Sequence, residues 1–115
     1  MKFNSIEPFV PAGSDFKSSK KLFLEIGFNI RWETDDYIGF RRDTCAFILQ
    51  NFNDKTFAEN LMMRVAVDNL DEFWQEIRDK NLDKKFNITL KPPTKFPYGR
   101  EVHLIDIAGV CWHFS

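Results

Sequence analysis

The stretch PYGREVHLIDIAGVCWHF, residues 97–114, contains two runs in which apolar and polar side chains alternate. Alternation with a period of two is typical of β-strands, and it predicts strands over Arg100–Ile105 and Val110–Phe114. The short segment Asp106–Gly109 between them predicts a hairpin turn. One face of this hairpin is therefore expected to pack against a hydrophobic core, and its polar residues are expected on the opposite face.

A strand and a helix precede this hairpin. Leu61–Val67 alternates in the same way and predicts a strand, and the apolar residues of Leu70–Ile77 recur at i, i+3, i+4 and i+7, as in an amphipathic helix. Residues 81–99 are rich in lysine and proline, which predicts mostly loop with a weak strand over Phe86–Leu90. The second half of the chain thus predicts the order βαβββ.

The first half of the chain repeats this order. A strand is predicted over Ile6–Val10, and a helix is predicted between an N-cap at Asp15 and a terminating Gly27. Three further strands are predicted over 28–33, from Tyr37 to Phe40, and over Cys45–Gln50. The sequence therefore predicts an α+β fold of two tandem βαβββ modules (about 1–52 and 61–115) in one domain, 1–115, with curved mixed sheets and helices on their outer face.

Composition excludes several functions. The 115 residues include 16 basic and 17 acidic ones, and this near-zero balance argues against binding to nucleic acid. No apolar run approaches the roughly 20 residues of a membrane helix, and the first residues lack the apolar segment of a secretory signal. We therefore expect a cytoplasmic protein that does not bind membranes and keeps Cys45 and Cys111 reduced.

Thirteen phenylalanines are more than a core of this size is expected to need. Strand and helix parity assigns about half of them to the core. Six lie in termini, loops or on the open face of a sheet: Phe3, Phe9, Phe52, Phe57, Phe86 and Phe96. We interpret this surplus as surface for a partner subunit and a flat ligand.

Strand parity also predicts which polar residues share the open face of the sheets. Ile6 and Val10 are expected to pack inward. The face opposite the helices is expected to collect Glu7, Arg64, Glu101, His103, Cys111 and His113. This set is a candidate binding site. A purely structural role is the alternative, in which each histidine bonds a neighbouring carboxylate and Arg64 pairs with Glu101 across strands.

Residues 97–114 resemble the PWGREF…DPxGN-type ending of bleomycin resistance proteins. Three further segments resemble that family's landmarks in order and spacing: Ser19–Phe28, Glu33–Gly39 and Val67–Asp71. The family belongs to the glyoxalase/bleomycin-resistance/extradiol-dioxygenase (vicinal oxygen chelate) superfamily, and the resemblance covers nearly the whole chain. It implies the same fold of two βαβββ modules.

The resemblance also implies where the metal ligands of the superfamily's enzymes would fall. These positions are near Glu7, at Ile48 or Leu49, at Met62 and at His113. Hydrocarbon and thioether side chains are poor ligands for a hard or borderline divalent cation. We therefore expect no catalytic metal and no cofactor, as in the non-catalytic branch of the superfamily.

That branch implies a homodimer that sequesters a small, partly aromatic molecule in a groove between its subunits, a route to antibiotic resistance without chemistry. The predicted ligand-binding residues are Trp32, Tyr37, Arg64, Phe96, Tyr98, His103 and His113. Flat side chains suit this role because aromatic faces grip flat rings and cations.

Two departures from the family pattern argue against bleomycin itself. Arg64 and Ala66 replace an expected tryptophan on the cleft side of the fifth strand, and Arg31 replaces an acid before Trp32. These guanidinium groups disfavour a cationic drug and favour an anionic or amphoteric ligand.

Two alternatives remain. One is a glyoxalase- or dioxygenase-type enzyme with a degenerate or absent metal site, in which His103 or His113 acts as the base and Glu7 or Glu101 as its partner. The other is a dimeric interaction module that binds no small molecule.

Overall fold

Eight strands and four helices make up the fold, and the computed structural model describes all of residues 1–115. The first half contains β1 (Phe9–Pro11), α1 (Phe16–Ile26), β2 (Asn29–Glu33), β3 (Tyr37–Arg42), β4 (Cys45–Gln50) and α2 (Lys55–Asn60). The second half contains β5 (Met62–Val65), α3 (Leu70–Arg78), α4 (Leu82–Phe86), β6 (Thr89–Phe96), β7 (Gly99–Ile105) and β8 (Cys111–Phe114). No helix has the length and hydropathy of a membrane-spanning segment.

The strands form two mixed sheets of four strands each, with matching topology. The first sheet has the order β1-β4-β3-β2 and the second the order β5-β8-β7-β6. In each sheet the first strand of the module pairs parallel with the last, and the other neighbours are antiparallel. The predicted α+β fold of two tandem βαβββ modules is therefore confirmed.

The first helix begins and ends where its sequence predicts. The Asp15 side chain accepts a hydrogen bond from the Ser18 N–H at 3.0 Å, which satisfies one of the free donors of the first turn. Gly27 follows the last turn with φ of 103°, a left-handed conformation that favours glycine. Leu22 and Phe23 on the inner side of the helix are buried.

The helix-covered faces of the two sheets meet in one hydrophobic core. The Trp112 ring of β8 lies 5.1 Å from the Phe47 ring of β4 and 5.2 Å from Phe23 of α1, measured between ring centroids. Phe114 stacks on Phe73 of α3 at 4.3 Å. Because the covered faces meet here, the other face of each sheet, which we call its open face, lies on the far side from the core.

The phenylalanines divide between core and surface much as predicted. Six are buried: Phe23, Phe28, Phe40, Phe47, Phe73 and Phe114. Four of the six assigned outside the core are exposed: Phe3, Phe9, Phe52 and Phe57. Phe86 is half-buried and packs against the core, and Phe96 is half-buried on β6.

The prediction that residues 81–99 are mostly loop is wrong. They contain a short helix, α4, and an eight-residue strand, β6, that pairs with β7. The strand tolerates Pro92 and Pro93 because it lies at the edge of its sheet and because its register shifts between Lys91 and Thr94. The prolines and lysines of this segment are typical of loops, and they therefore led to the prediction of a loop where the structure has an edge strand.

The predicted first strand is also corrected. It begins at Phe9 rather than at Ile6, and the Ile6 side chain, expected to pack inward, is 93% exposed. Val10 does pack into the core. Residues 1–6 are exposed along their length and form an arm outside the sheet.

One carboxylate fixes the turn between β7 and β8. Asp106 Oδ1 accepts hydrogen bonds from the backbone N–H groups of Ala108, Gly109 and Val110 at 3.0–3.1 Å, and Oδ2 accepts one from Trp112 Nε1 at 2.8 Å. Burial raises the pKa of Asp106 to about 6, against the opposing effect of these four donors. The group is therefore mainly ionised at pH 7 and can accept all four bonds.

We expect Asp106→Asn to lower the free energy of unfolding by about 2 kcal/mol, because one amide NH₂ would replace the oxygen that accepts from Trp112 or from the backbone. Chemical denaturation at pH 7 measures the change. Asp35→Asn is the matched control, since Asp35 is exposed and its side chain makes no hydrogen bond. Equal stability of the two variants would contradict this role for Asp106.

Candidate functional site

Two histidines and a glutamate share one contact on the open face of the second sheet. His103 of β7 lies directly opposite His113 of β8, with ring centroids 4.4 Å apart. Glu101 Oε1 lies 2.9 Å from His103 Nε2 and 3.1 Å from His113 Nδ1. Only 6% of Glu101 is exposed. A single buried carboxylate oxygen thus holds both imidazole rings.

The protonation of this cluster follows from its geometry. The hydrogen bond from His103 lowers the pKa of Glu101, burial opposes it, and His113 lowers it further. An ionised carboxylate only accepts hydrogen bonds, so each ring donates: His103 through Nε2–H and His113 through Nδ1–H. His113 Nε2 is left buried without a hydrogen-bond partner. Such an orphaned polar atom is uncommon in folded proteins.

An aromatic stack continues from the histidines to the surface. Phe96 stacks on His103 with ring centroids 5.0 Å apart, and it also stacks on Tyr98 at 5.5 Å. The Tyr98 hydroxyl lies 3.4 Å from Glu101 Oε1, while 69% of the residue is exposed. The stack therefore ends in a ring that is available to a ligand.

Cys111 and Arg64 complete this face. Cys111 is half-buried, and burial raises the pKa of its thiol, an effect that Lys91 opposes. Arg64 is exposed and its Nε donates to Ser115 Oγ at 3.2 Å. The Arg64–Glu101 ion pair of the structural alternative is wrong, because the histidines bond the carboxylate instead. The guanidinium thus carries a positive charge without a carboxylate partner.

The open face of the first sheet carries a separate aromatic group. The Trp32 indole lies over Gly39 on the neighbouring strand, and a methyl group at that glycine would overlap the ring. Phe9 and Tyr37 meet edge to face with centroids 5.9 Å apart. Trp32 is 41% and Phe9 54% exposed. Because Gly39 has no side chain, the Trp32 ring can lie against the strand and form a flat surface on this face.

The structure brings together five of the seven predicted ligand-binding residues. Arg64, Phe96, His103 and His113 lie on strands of the second sheet, and Tyr98 lies in the turn between β6 and β7. The other two, Trp32 and Tyr37, belong to the first sheet, whose open face lies across the core.

The predicted binding set omitted Glu101 and Cys111, although strand parity had assigned both to this face. These two residues matter because of how neighbouring strands pair. The alternation along a single strand predicts the face on which a residue lies, but not the register between strands. Glu7, predicted for the same face, lies before β1 of the first sheet, and its Oε2 accepts a hydrogen bond from Ser5 Oγ at 2.8 Å. The structure does not bring Glu7 to either histidine.

The metal positions implied by the family resemblance do not fit a divalent ion. Leu49 is buried in the core, and Ile48 offers only hydrocarbon. Met62 is 69% exposed and offers a thioether. These side chains are poor ligands for a hard or borderline divalent cation.

A crevice of about 410 Å³ lies elsewhere, on the helix side of the sheets. It is lined in part by Phe28, Asn69 and Phe114. The Arg42–Glu76 ion pair, 2.7 Å long, forms part of its wall. It contains none of the predicted ligand-binding residues.

No protein-family model and no curated protein sequence matches the chain. Solved structures do match it over nearly its full length. The bleomycin-binding protein of Streptomyces verticillus, solved with copper(II)-bleomycin, is 22% identical with a TM-score of 0.80, and the match covers 100% of this chain and 97% of that one. A bleomycin resistance determinant encoded on transposon Tn5 is 18% identical with a TM-score of 0.74, covering 97% and 96%.

A glyoxalase/bleomycin resistance protein from Streptomyces sp. CB03234 is 15% identical with a TM-score of 0.67, covering 96% of this chain and 99% of that one. The chain therefore has the fold of the glyoxalase/bleomycin resistance proteins. The resemblance seen in residues 97–114 is confirmed at the level of the fold.

The lowered pKa of Glu101 predicts how this cluster responds to acid. Its ionised form stabilises the folded state above the ordinary pKa of 4.5, and that contribution is lost as the pH falls through the lower pKa of the folded state. We expect the stability difference between the wild type and Glu101→Gln to shrink as the pH falls below 4.5.

Urea denaturation at several pH values measures this difference. Glu72→Gln serves as the control, because the exposed Glu72 side chain makes no hydrogen bond. A difference that stays unchanged from pH 4.5 down to pH 3, or that grows over that range, would show that the two rings do not stabilise the ionised carboxylate.

Proposed function

We propose that this protein binds a flat, partly aromatic small molecule in a groove between two copies of the chain, and sequesters it without chemical change. The observation that carries this proposal is that the open face of each sheet ends in exposed aromatic rings. Trp32 and Phe9 lie on the first sheet and Tyr98 on the second, each at least 41% exposed. Contiguous exposed apolar patches mark interaction sites, and a dimer that faces the two sheets would join these rings into one patch.

A groove lined by both faces requires a second chain. The covered faces of the two sheets share the core, through Phe47 and Trp112, so the open faces of one chain cannot face each other. In a dimer, the first sheet of one subunit can face the second sheet of its partner.

The arm of residues 1–6 supports association with a second copy. Met1, Phe3 and Ile6 are all more than 85% exposed, and none has an apolar partner within the chain. Burial of each large apolar side chain contributes about 1.5–3 kcal/mol. The arm is therefore expected to cross to the partner subunit.

The charge of the open faces favours an anionic or amphoteric ligand. Arg31 and Arg64 are exposed, and neither forms an ion pair. Solved proteins of this fold, at 17–22% identity, bind bleomycin according to their names. Arg31, Arg64 and Ala66 in this chain argue for a ligand other than a cationic drug.

We expect the anionic aromatic dye anilinonaphthalene sulfonate to bind the groove more tightly than bleomycin does. Trp32→Ala and Tyr98→Ala are each expected to weaken dye binding about 3- to 10-fold, the loss of one aromatic contact. Isothermal titration calorimetry measures both affinities. Sub-micromolar binding of bleomycin would show that the arginines do not oppose a cationic ligand.

Phe57→Ala is the matched control for these variants. Phe57 is 49% exposed but lies on α2, outside both open faces. Dye binding that weakens equally in Phe57→Ala, or that survives both groove variants, would contradict the proposed groove.

We expect the protein to elute as a dimer, at twice the 13.6 kDa of one chain. The double variant Phe3→Asp/Ile6→Asp is expected to shift it toward monomer, because charges on the arm oppose burial. Size-exclusion chromatography with light scattering measures the mass. Leu24→Asp, at an exposed apolar position of α1, is the control and should leave the dimer intact. A monomeric wild type would contradict the inter-subunit groove.

Acid–base catalysis without a metal is a second candidate function, and one observation favours it. His103 and His113 both lie within hydrogen-bond reach of Glu101, the arrangement that general acid–base chemistry needs. Turnover of a methylglyoxal–thiol adduct or of a catechol, abolished in His113→Ala, would favour this function over sequestration.

A further inference from the structure

We propose that His103, Cys111 and His113 form a binding site for a borderline or soft transition-metal ion such as Zn²⁺ or Co²⁺. The site lies on the open face of the second sheet, and binding of the ion alone does not depend on the proposed sequestering function. His113 is the only member at a metal position of the resembled family; the other two ligands come from different positions in this chain.

The register of β7 and β8 places these three side chains on one face. His103 lies directly opposite His113, and Cys111 lies two residues before His113 on the same face. One potential ligand atom from each residue can be chosen so that all three lie within 4.8 Å of one another. Tetrahedral zinc, with Zn–N near 2.1 Å and Zn–S near 2.3 Å, needs separations of about 3.4–3.7 Å. Coordination would therefore draw the ligand atoms together by roughly 1 Å.

Glu101 already orients both imidazole rings as a metal site requires. Metal-binding histidines usually donate their other ring N–H to a carboxylate, which fixes the tautomer. Here Glu101 Oε1 accepts from His103 Nε2 and His113 Nδ1, which leaves a lone pair on His103 Nδ1 and on His113 Nε2. The parallel stacking of Phe96 on His103 restricts that ring further.

The orphaned His113 Nε2 is independent support for a ligand. This nitrogen is buried and has no hydrogen-bond partner in the protein. A buried, unpaired acceptor destabilises the folded protein, and coordination to an ion offsets this cost.

The two imidazole nitrogens and the thiolate sulfur determine which class of metal ion the site would bind. Imidazole and thiolate suit Zn²⁺, Co²⁺ and copper, whereas Mg²⁺ and Ca²⁺ prefer oxygen. Binding converts the Cys111 thiol into a thiolate and releases its proton. Three protein ligands leave one position of a tetrahedral ion for water or for a donor atom of a bound molecule.

Titration of the metal-free protein with Co²⁺ tests this site directly. We expect a thiolate-to-cobalt charge-transfer absorption that saturates at one ion per chain and is displaced by Zn²⁺. Cys111→Ser should abolish the band. Cys45→Ser is the matched control, because Cys45 is also a half-buried free thiol, and it should leave the band unchanged.

Glu101→Gln gives a second measurement that does not remove a ligand. Loss of a carboxylate that orients the ligands is expected to weaken Zn²⁺ binding about 10- to 100-fold. Circular dichroism checks that each variant is folded, and His103→Asn replaces Cys111→Ser if the latter does not fold; it should also weaken Zn²⁺ binding.

Absence of a saturable cobalt band in the wild type would overturn the metal site, as would a band that is retained in Cys111→Ser. Neither result bears on the sequestering function, which the dye titration tests on metal-free protein. Conversely, a cobalt site in a chain that does not bind the dye would uphold the metal site alone.

Discussion

The Asp106 carboxylate is the constraint on which the rest of the structure depends. Its bonds to three backbone N–H groups and to Trp112 Nε1 fix where β8 begins relative to β7. A slip of one residue would turn His113 toward the core and Trp112 toward the open face. The same carboxylate thus sets both the aromatic core, through Trp112, and the pairing of the two histidines.

Strand parity predicted much of this arrangement because burial alternates along the last strand. Val110, Trp112 and Phe114 are buried, and Cys111 and His113 between them are not. The edges were harder to predict. In β6 and the residues before β1, few side chains are buried. The amino acids there are therefore polar residues and prolines suited to an exposed edge, and they do not reveal which strand pairs with which.

In the candidate site, too, the pattern of each strand predicted the face of a residue, whereas its contacts depend on how the strands pair. Alternation placed Glu101, His103 and His113 on one face, but the shared contact at one oxygen depends on the register between two strands. The separation of Trp32 from Tyr98 depends on how two sheets meet in the core. Neither fact is encoded in local sequence, because both arise from contacts between residues distant along the chain.

The proposed metal site and the proposed ligand-binding surface use different parts of the second sheet. Nitrogen and sulfur donors lie at its inner end, around the buried Glu101, and an exposed aromatic ring, Tyr98, lies at its outer end. A molecule that contacted both the ring and a bound ion would couple the two proposed interactions, and each would then change the affinity of the other by the same factor.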